Sequence, residues 1–506
     1  MLTTLWDRLP SRRKPWDNYK NLADRCLGRH VVSGIDGLPS PRGPRVGVVV
    51  TPWQKTAVPF YLVEWAIRLR RDGVEVEFIW DVWPNVARQG STEEKIILGL
   101  LRSISERFQI PVVSPFAEGD FAKDLTLRLK CLAFESVTRD LRREPSWDDP
   151  AVRAEAERLC EHAGRVEAFL GARSYAWILV PGGVWAVSGV YWEATEAQGI
   201  GLTTFDSGAG LLCFQHGGPA AHFPDLAKSM RILTENCSNS PALRQRVETW
   251  VKDRLEVRRR GEDEFQLQPL SSKPPAAMAQ VVVPLNYRLD TAAMCRQRLF
   301  HGVNEWIRAL VDWALARPKV VIAFRQHPCE RIPDYQSRED YSWISAAAPN
   351  IHFIAAEDPI NTYDLIRTCR VVLPYSSRVG IEAAILGKPV VLAASTYYES
   401  MPFVSVPESR EAYFNRIEEL LAGAVQQTER EHCSACAAYF VAEKYGLHRT
   451  HFTPMPMDFE IWSHLSPNDL WAQDHNEVFA RAIVERRSVA ELLLEQQFVE
   501  WRKIQN

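Results

Sequence analysis

The chain has 506 residues, with 60 Lys and Arg against 63 Asp and Glu, which gives a formal net charge of −3. Hydrophobic residues make up 46% and charged residues 24%, a globular composition that excludes disordered, collagen-like and low-complexity chains. The length predicts two to four domains, and the nearly neutral charge excludes nucleic acid as an expected partner.

Cysteine usage and hydropathy indicate a cytoplasmic protein. Ten Cys are scattered along the chain, and its first residues have neither the basic start nor the apolar stretch of a secretory signal. A long charge-free stretch, residues 176–192, contains Pro181-Gly182-Gly183 and predicts a strand, a turn and a helix rather than a membrane span. A basic arm over residues 1–44 is expected to pack on the protein, with peripheral contact to the inner membrane at most.

The first half of the chain begins with a βαβ pattern. An uninterrupted apolar run at residues 45–50 predicts a buried parallel strand, and a helix at 59–71 and a strand at 74–80 follow it. This opening predicts a doubly wound α/β domain. Further predicted elements are helices within 120–175 with a break at 145–150, a strand at 177–180, a helix at 184–198 and a strand at 202–205.

A polar, Pro-rich segment at residues 262–278 predicts an interdomain linker. After it the β/α pattern restarts, and the predicted elements are strands at 281–284, 320–324, 352–354, 371–373 and 390–392, a long helix at 292–316, short helices at 363–368 and 380–386, and a helical tail from 413 that ends with a helix at 474–503. The predicted division is an arm (1–44), an N-terminal domain (45–270), a C-terminal domain (271–470) and a C-terminal helix (471–506).

Two segments at predicted strand ends could bind phosphate, because open α/β sheets bind ligands beyond the carboxyl ends of their strands. Arg325 and His327 follow one strand, and a guanidinium and an imidazole both suit an anionic oxygen. Ser376, Ser377 and Gly380 follow another, where hydroxyls and free amides at a helix start can bind an anion. A solvated loop and a Ser helix cap are the structural alternatives.

Two further groups of side chains could have either a functional or a purely structural role. Asp358, Asn361 and Thr362 begin a predicted helix, where they could contact a nucleotide base or ribose, or could simply cap the helix. Asp206 lies at a strand end before a Gly-rich loop and could act as a general base. The structural alternative is that Asp206 only forms a turn. His216 is the other candidate for the base.

Three short motifs carry a resemblance to a known family. In chain order, Asp206-Ser207-Gly208, His327-Pro328 and Ser376-Ser377 resemble the acid-acid-Gly, His-Pro and Ser-Ser motifs of GT-B glycosyltransferases that use CMP-activated sugars, such as bacterial sialyltransferases and Kdo transferases. Residues 320–395 resemble GT-B enzymes of bacterial capsular polysaccharide and lipopolysaccharide biosynthesis more generally. Ser207 replaces the second acid of the motif, and polyglycerol-phosphate transferases that use CDP-glycerol share the other two pairs.

The resemblance implies an α/β fold of GT-B type, in which two doubly wound Rossmann-like domains face each other across a cleft and a C-terminal helix crosses back. It implies acceptor binding in the N-terminal domain, with Asp206 as base or acceptor contact. The C-terminal domain would bind the donor, with His327, Ser376 and Ser377 on its phosphate and Glu382, from the same block, at the donor site.

The resulting functional expectation is a glycosyltransferase that moves a sugar from a CMP-activated donor such as CMP-Kdo to a bacterial surface glycan or glycolipid. No Asp-x-Asp triplet lies at a suitable strand end, so no metal is expected, and no cofactor beyond the nucleotide-sugar co-substrate. The alternatives are a GT-B transferase that uses a UDP- or GDP-sugar and a non-catalytic double-Rossmann protein of capsule assembly.

Overall fold

The computed structural model describes residues 20–21, 23–24, 27, 38–53, 58–82, 91–116, 121, 123–208, 211–263, 267–269, 279–423, 426–449 and 476–505. Most of the predicted arm and linker, and the start of the predicted last helix, lie outside these residues. The chain divides into two compact units: residues 1–129, 156–221 and 446–506 form unit 1, and residues 130–155 and 222–445 form unit 2.

The described strands are β1 (Arg45–Val50), β2 (Glu75–Trp80), β3 (Val112–Val113), β4 (Tyr175–Pro181), β5 (Gly201–Gly208), β6 (Leu211–His216), β7 (Val281–Pro284), β8 (Ile322–Arg325), β9 (Ile351–Ile354), β10 (Val371–Val372), β11 (Val390–Val391), β12 (Val404–Ser405) and β13 (His448–Arg449). The described α-helices are α1 (Val58–Arg71), α2 (Thr92–Phe108), α3 (Leu127–Leu141), α4 (Pro150–Gly171), α5 (Ala186–Gln198), α6 (Leu226–Asn239), α7 (Pro241–Arg259), α8 (Val303–Leu315), α9 (Ser342–Ala347), α10 (Thr362–Thr368), α11 (Val379–Ile385), α12 (Arg410–Ala422), α13 (Glu429–Tyr445), α14 (Asn476–Glu485) and α15 (Val489–Gln505). None of the described helices combines the length and apolarity needed to cross a membrane.

Unit 1 is built on a seven-stranded sheet with the order β13-β6-β5-β4-β1-β2-β3. The strands from β3 to β5 in this order pair in parallel, whereas β6 is antiparallel to both β5 and β13. Helices α1 and α14 cover one face near β5 and β6. The Trp65 ring of α1 lies 4.7 Å from Phe205 and 5.4 Å from Phe214 between centroids, and Phe479 of α14 stacks on Phe214 at 4.9 Å.

Unit 2 is built on a six-stranded parallel sheet with the order β12-β11-β10-β7-β8-β9. The chain starts at β7 and builds to one side through β8 and β9, then returns to the other side with β10. Trp306 of α8, Phe324 of β8 and Tyr375 after β10 belong to its buried core. The predicted α/β class with two doubly wound domains is confirmed, and α14 and α15 return to unit 1 as the resemblance implied.

Three of the predicted boundaries differ most from the structure. The helix predicted at 292–316 begins only at Val303, after an extended Gly302. Cys295, inside the predicted range, has a left-handed backbone (φ 53°) that an α-helix cannot include. The predicted last helix is divided into α14 and α15 by Arg486, which also has a positive φ of 53°. Residues 222–263 belong to unit 2 rather than to the first domain, since α6 packs against α13.

Candidate functional site

The strand order of unit 2 brings the two predicted phosphate loops to either side of one strand. The loop with His327 follows β8 and the loop with Ser376 and Ser377 follows β10, and both of these strands pair with β7. The direction of building reverses between β7 and β10, and ligands of doubly wound sheets bind at such a reversal, beyond the carboxyl ends of the strands. The residues after β7 therefore become part of the candidate site.

Asn286, two residues after β7, joins this strand end to the β10 loop. Its side-chain amide is buried and contacts Ser376 twice, with Nδ2 donating to Oγ at 3.4 Å and Oδ1 accepting from the backbone N–H at 3.4 Å. The Thr396 hydroxyl donates to the Ser376 carbonyl at 3.3 Å. Sequence reasoning missed Asn286, although its place directly after a predicted strand was a usable signal.

His327 caps a short 3-10 helix, Pro328–Arg331, and keeps one nitrogen for other contacts. Its Nδ1 accepts the backbone N–H of Cys329 at 3.3 Å and lies 2.9 Å from the Cys329 thiol. Burial, with smaller effects of Arg325 and Arg258, lowers the pKa of the imidazole to about 4, so the ring is neutral at pH 7. Since Nδ1 is the acceptor, the proton is on Nε2, which can donate to an anion.

Ser377 and Gly380 take the local roles expected of a turn and a helix start. The Ser377 hydroxyl accepts the Val379 N–H at 3.3 Å, and its carbonyl accepts the Tyr398 hydroxyl at 2.5 Å. A Cβ added at Gly380 would lie 2.3 Å from that same hydroxyl. Position 380 therefore requires glycine because of the Tyr398 hydroxyl, which holds the loop after β10.

Arg325 is buried, and its guanidinium is directed at backbone. It donates to the carbonyl of Ala355 and, at 3.5 Å, to that of Asp358, so it holds the loop between β9 and α10. Burial lowers the pKa of Arg325 to about 10, and the group stays charged at pH 7. Arg325 thus contributes positive charge close to His327, while its hydrogen bonds support the neighbouring loop.

The predicted base- or ribose-binding group, Asp358, Asn361 and Thr362, makes local contacts at the start of α10. The Asp358 carboxylate accepts the Ala355 N–H at 2.7 Å, and Asn361 Oδ1 accepts the Tyr363 N–H at 3.0 Å as the cap of α10. Asn361 Nδ2 donates to the Arg259 carbonyl at 2.7 Å, at the end of α7. The backbone N–H of the buried Thr362 donates to Gln268.

Glu382 belongs to a buried network of charges in unit 2. Its carboxylate accepts the Tyr363 hydroxyl at 3.1 Å and lies 3.5 Å from Arg258, which pairs with Glu443 at 2.9 Å. Burial alone would raise the pKa of Glu443, but Arg378, Arg258 and Arg254 together lower it. The network connects α7, α11 and α13 behind the β10 loop. No described group of three or more His, Cys, Asp or Glu could hold a metal ion.

The two candidate bases of unit 1 lie on opposite faces of its sheet. Asp206 pairs with Cys213, and Thr203 pairs with His216, in a regular antiparallel register; positions three apart on a strand point to opposite faces. Nδ1 of His216 lies 2.7 Å from the Thr203 hydroxyl and Nε2 lies 3.0 Å from the Arg487 carbonyl. Burial lowers the pKa of His216 to about 4. Half-buried Asp206 stands inside β5 rather than at its end.

No protein-family model and no curated protein matches this chain. Solved structures similar to it include two transferases of Thermosulfurimonas dismutans KpsC. The beta Kdo 2,7 transferase is 14% identical over 54% of this chain and 79% of the matched chain, with a TM-score of 0.30. The beta Kdo 2,4 transferase is 13% identical over 57% and 87%, with a TM-score of 0.34. Neisseria meningitidis UDP-GlcNAc 2-epimerase is 12% identical over 79% and 98%, with a TM-score of 0.24.

Proposed function

We propose that unit 2 binds the phosphate of a nucleotide sugar and that the chain is a glycosyltransferase of surface-glycan synthesis. The observation that supports this most is the meeting of two separate loops at β7. Asn286 holds Ser376 on one side, and the ring of the next residue, Tyr287, lies 6.4 Å from that of His327 on the other. The sequence had marked both loops as segments that could bind phosphate.

The chemistry of the transfer fits the groups at this edge. A nucleotide leaving group gains negative charge as its bond to the sugar breaks, and preorganised donors that face this charge lower the barrier. His327 Nε2–H and the hydroxyls of Ser376 and Ser377 are such donors, and the charge of Arg325 adds to the field. With this set of side chains, we expect turnover without a divalent ion.

A cytidine nucleotide is the proposed donor class, because the His-Pro and Ser-Ser order resembles that of cytidine-dependent transferases. Unit 1 would supply the acceptor side. Asp206 is the proposed base there, as the resemblance implies, because it is half-buried whereas His216 is buried and bonded through both ring nitrogens. A non-catalytic binding protein and a UDP- or GDP-sugar transferase remain the competing outcomes of the test.

Calorimetric titration with CMP, UDP and GDP tests the proposal. Replacing His327 with Ala removes one hydrogen bond to a charged group, worth about 1.5–3 kcal/mol, so the affinity for CMP should fall by about 10- to 150-fold. His352→Ala, on β9 of the same unit, serves as the control and should leave affinity unchanged.

Each other outcome has a definite meaning. Tighter binding of UDP or GDP than of CMP would mean that the donor is a UDP- or GDP-sugar rather than a cytidine nucleotide. Absence of nucleotide binding by the native protein, or an unchanged affinity in His327→Ala, would contradict the proposed site.

A further inference from the structure

Tyr335 presents an aromatic ring to solvent beside the candidate phosphate site. Its side chain is 46% exposed, a value shared by Leu315, and these are the large apolar side chains exposed in the described part of unit 2. Tyr335 ends a short 3-10 helix, Pro333–Tyr335, in the loop after β8. The same loop begins with His327, the proposed phosphate donor.

A second ring connects Tyr335 to His327. Tyr287, just after β7, meets Tyr335 edge to face at 5.7 Å between centroids and an interplanar angle of 85°. Tyr287 also lies 6.4 Å from the His327 ring between centroids. Tyr287 is therefore a ring neighbour of both, and of the three side chains Tyr335 is the exposed one.

The backbone directly after Tyr335 is held by hydrogen bonds on each of the next three residues. Arg142 Nε donates to the carbonyl of Gln336 at 2.9 Å, and the Arg142 carbonyl accepts the Arg338 N–H at 2.7 Å. Between these contacts, the Ser337 N–H donates to Glu330 at 3.2 Å. An exposed ring on a fixed backbone loses little freedom when a ligand stacks on it, which is a requirement of a recognition surface.

Two of the three residues predicted to contact the base or ribose have their side chains engaged in capping. Asp358 and Asn361 are occupied by helix and turn contacts. An exposed aromatic ring supplies a contact that they do not, because every nucleobase has a flat face that can stack on an aromatic side chain. In a nucleotide the ribose joins the phosphate to the base, so it would span from a phosphate at His327 to a base at Tyr335.

We propose that Tyr335, supported by Tyr287, is the stacking platform for the nucleobase of the donor. The inference rests on the proposed nucleotide site and deepens it. Stacking tolerates any base, so this platform would provide affinity for the nucleoside portion, and the choice among bases would come from other contacts.

Calorimetry with two probes, CMP and ribose 5-phosphate, tests this inference on the full-length protein. Loss of one stacking ring weakens binding by about 5- to 150-fold, so Tyr335→Ala should lose this factor for CMP and keep its affinity for ribose 5-phosphate. Tyr335→Phe keeps the ring and should bind CMP like the native protein. Leu315→Ala is the control with matched exposure and should change neither affinity.

The inference and the proposed function fail in different ways. If the native protein binds CMP but Tyr335→Ala binds it equally well, the platform is wrong and the phosphate site stands. Equal losses for both probes in Tyr335→Ala would mean that the ring supports the loop rather than a base, which also overturns the inference. If the native protein binds no nucleotide, the proposed function itself is overturned.

Discussion

His216 and His327 show how burial and hydrogen bonding divide the tasks of one residue type. Burial lowers the pKa of both rings to about 4, so neither carries charge at pH 7. Both nitrogens of His216 are in contact with Thr203 and Arg487, whereas Nε2 of His327 meets no partner in the described part of the chain. A histidine of the first kind holds two elements together, and one of the second kind can still meet a ligand.

Gly380 tests how strictly the loop after β10 is packed. An added methyl group would lie 2.3 Å from the Tyr398 hydroxyl and 3.1 Å from Pro374 Cγ, so Tyr398 would have to move and give up its bond to Ser377. We expect Gly380→Ala to lower the free energy of unfolding by about 1–3 kcal/mol, measured by urea denaturation.

Tyr398→Phe supplies the matched control, because it removes the hydroxyl that blocks the methyl group. The double variant should lose less stability than the two single losses predict together. Additive losses would mean that Tyr398 is not what constrains Gly380.

Glu144 predicts a pH dependence of stability. Buried Arg288 lies 3.3 Å from Glu144 and 3.1 Å from Glu135, so one cation faces two carboxylates. Burial raises the pKa of Glu144 to about 7 from its ordinary value of 4.5. Between pH 4.5 and about pH 7 the folded state therefore binds one proton more than the unfolded state. The contribution of Glu144 to the free energy of unfolding falls as pH rises through this range, by at most about 1.4 kcal/mol per pH unit.

Glu144→Gln cannot titrate and can still accept the backbone N–H groups of Val303 and Asn304. The stability of this variant relative to the native protein should therefore increase from pH 5 to pH 7 and level off above pH 8, in urea unfolding at each pH. Parallel pH curves for the two proteins would show that Glu144 does not titrate in this range.

Sequence spacing could identify residue types for the site but not their partners. His327, Ser376 and Ser377 are visible because they follow apolar runs. The contact of Asn286 with Ser376 joins positions 90 residues apart and depends on the strand order. The capping roles of Asp358 and Asn361 were one of two stated alternatives, and only the hydrogen bonds distinguish capping from a ligand contact.

Among the elements, α14 contributes to the core of unit 1 although it lies more than 250 residues after β6 in the sequence. Phe479 stacks on Phe214 and lies 6.4 Å from the Trp65 ring. Removal of a buried phenyl ring lowers the free energy of unfolding by about 3–5 kcal/mol. Phe479→Ala should therefore lower the melting temperature of unit 1, as measured by calorimetry. Val484→Ala, at an exposed position of the same helix, should have almost no effect. An equal shift in both variants would contradict the packing role.

Strands were easier to predict than helix boundaries. Buried parallel strands such as β1, β7 and β8 appear as continuous apolar runs, and their predicted bounds are close to the observed ones. The interruptions at Cys295 and Arg486 leave no trace in the sequence, because nothing about Cys or Arg indicates a positive φ. Their left-handed conformations are imposed by the surrounding structure.

At the scale of the whole molecule, each unit consists of separate stretches of chain. The chain passes between units at residues 129/130, 155/156, 221/222 and 445/446, and the first two passages lie inside α3 and α4. The predicted domains were continuous in sequence. Composition marks a linker, whereas a helix that begins in one unit and ends in the other has the same amphipathic pattern as any other helix.

This arrangement determines the order in which a chain emerging from a ribosome can fold. Unit 2 has all of its residues once position 445 has been synthesised, while unit 1 still lacks β13, α14 and α15. Until α14 emerges, Trp65 and Phe214 have no Phe479 to cover them. Unit 1 therefore begins to be translated before unit 2 but completes its core after it, and a nascent chain must keep this aromatic surface from aggregation while residues 446–506 are translated.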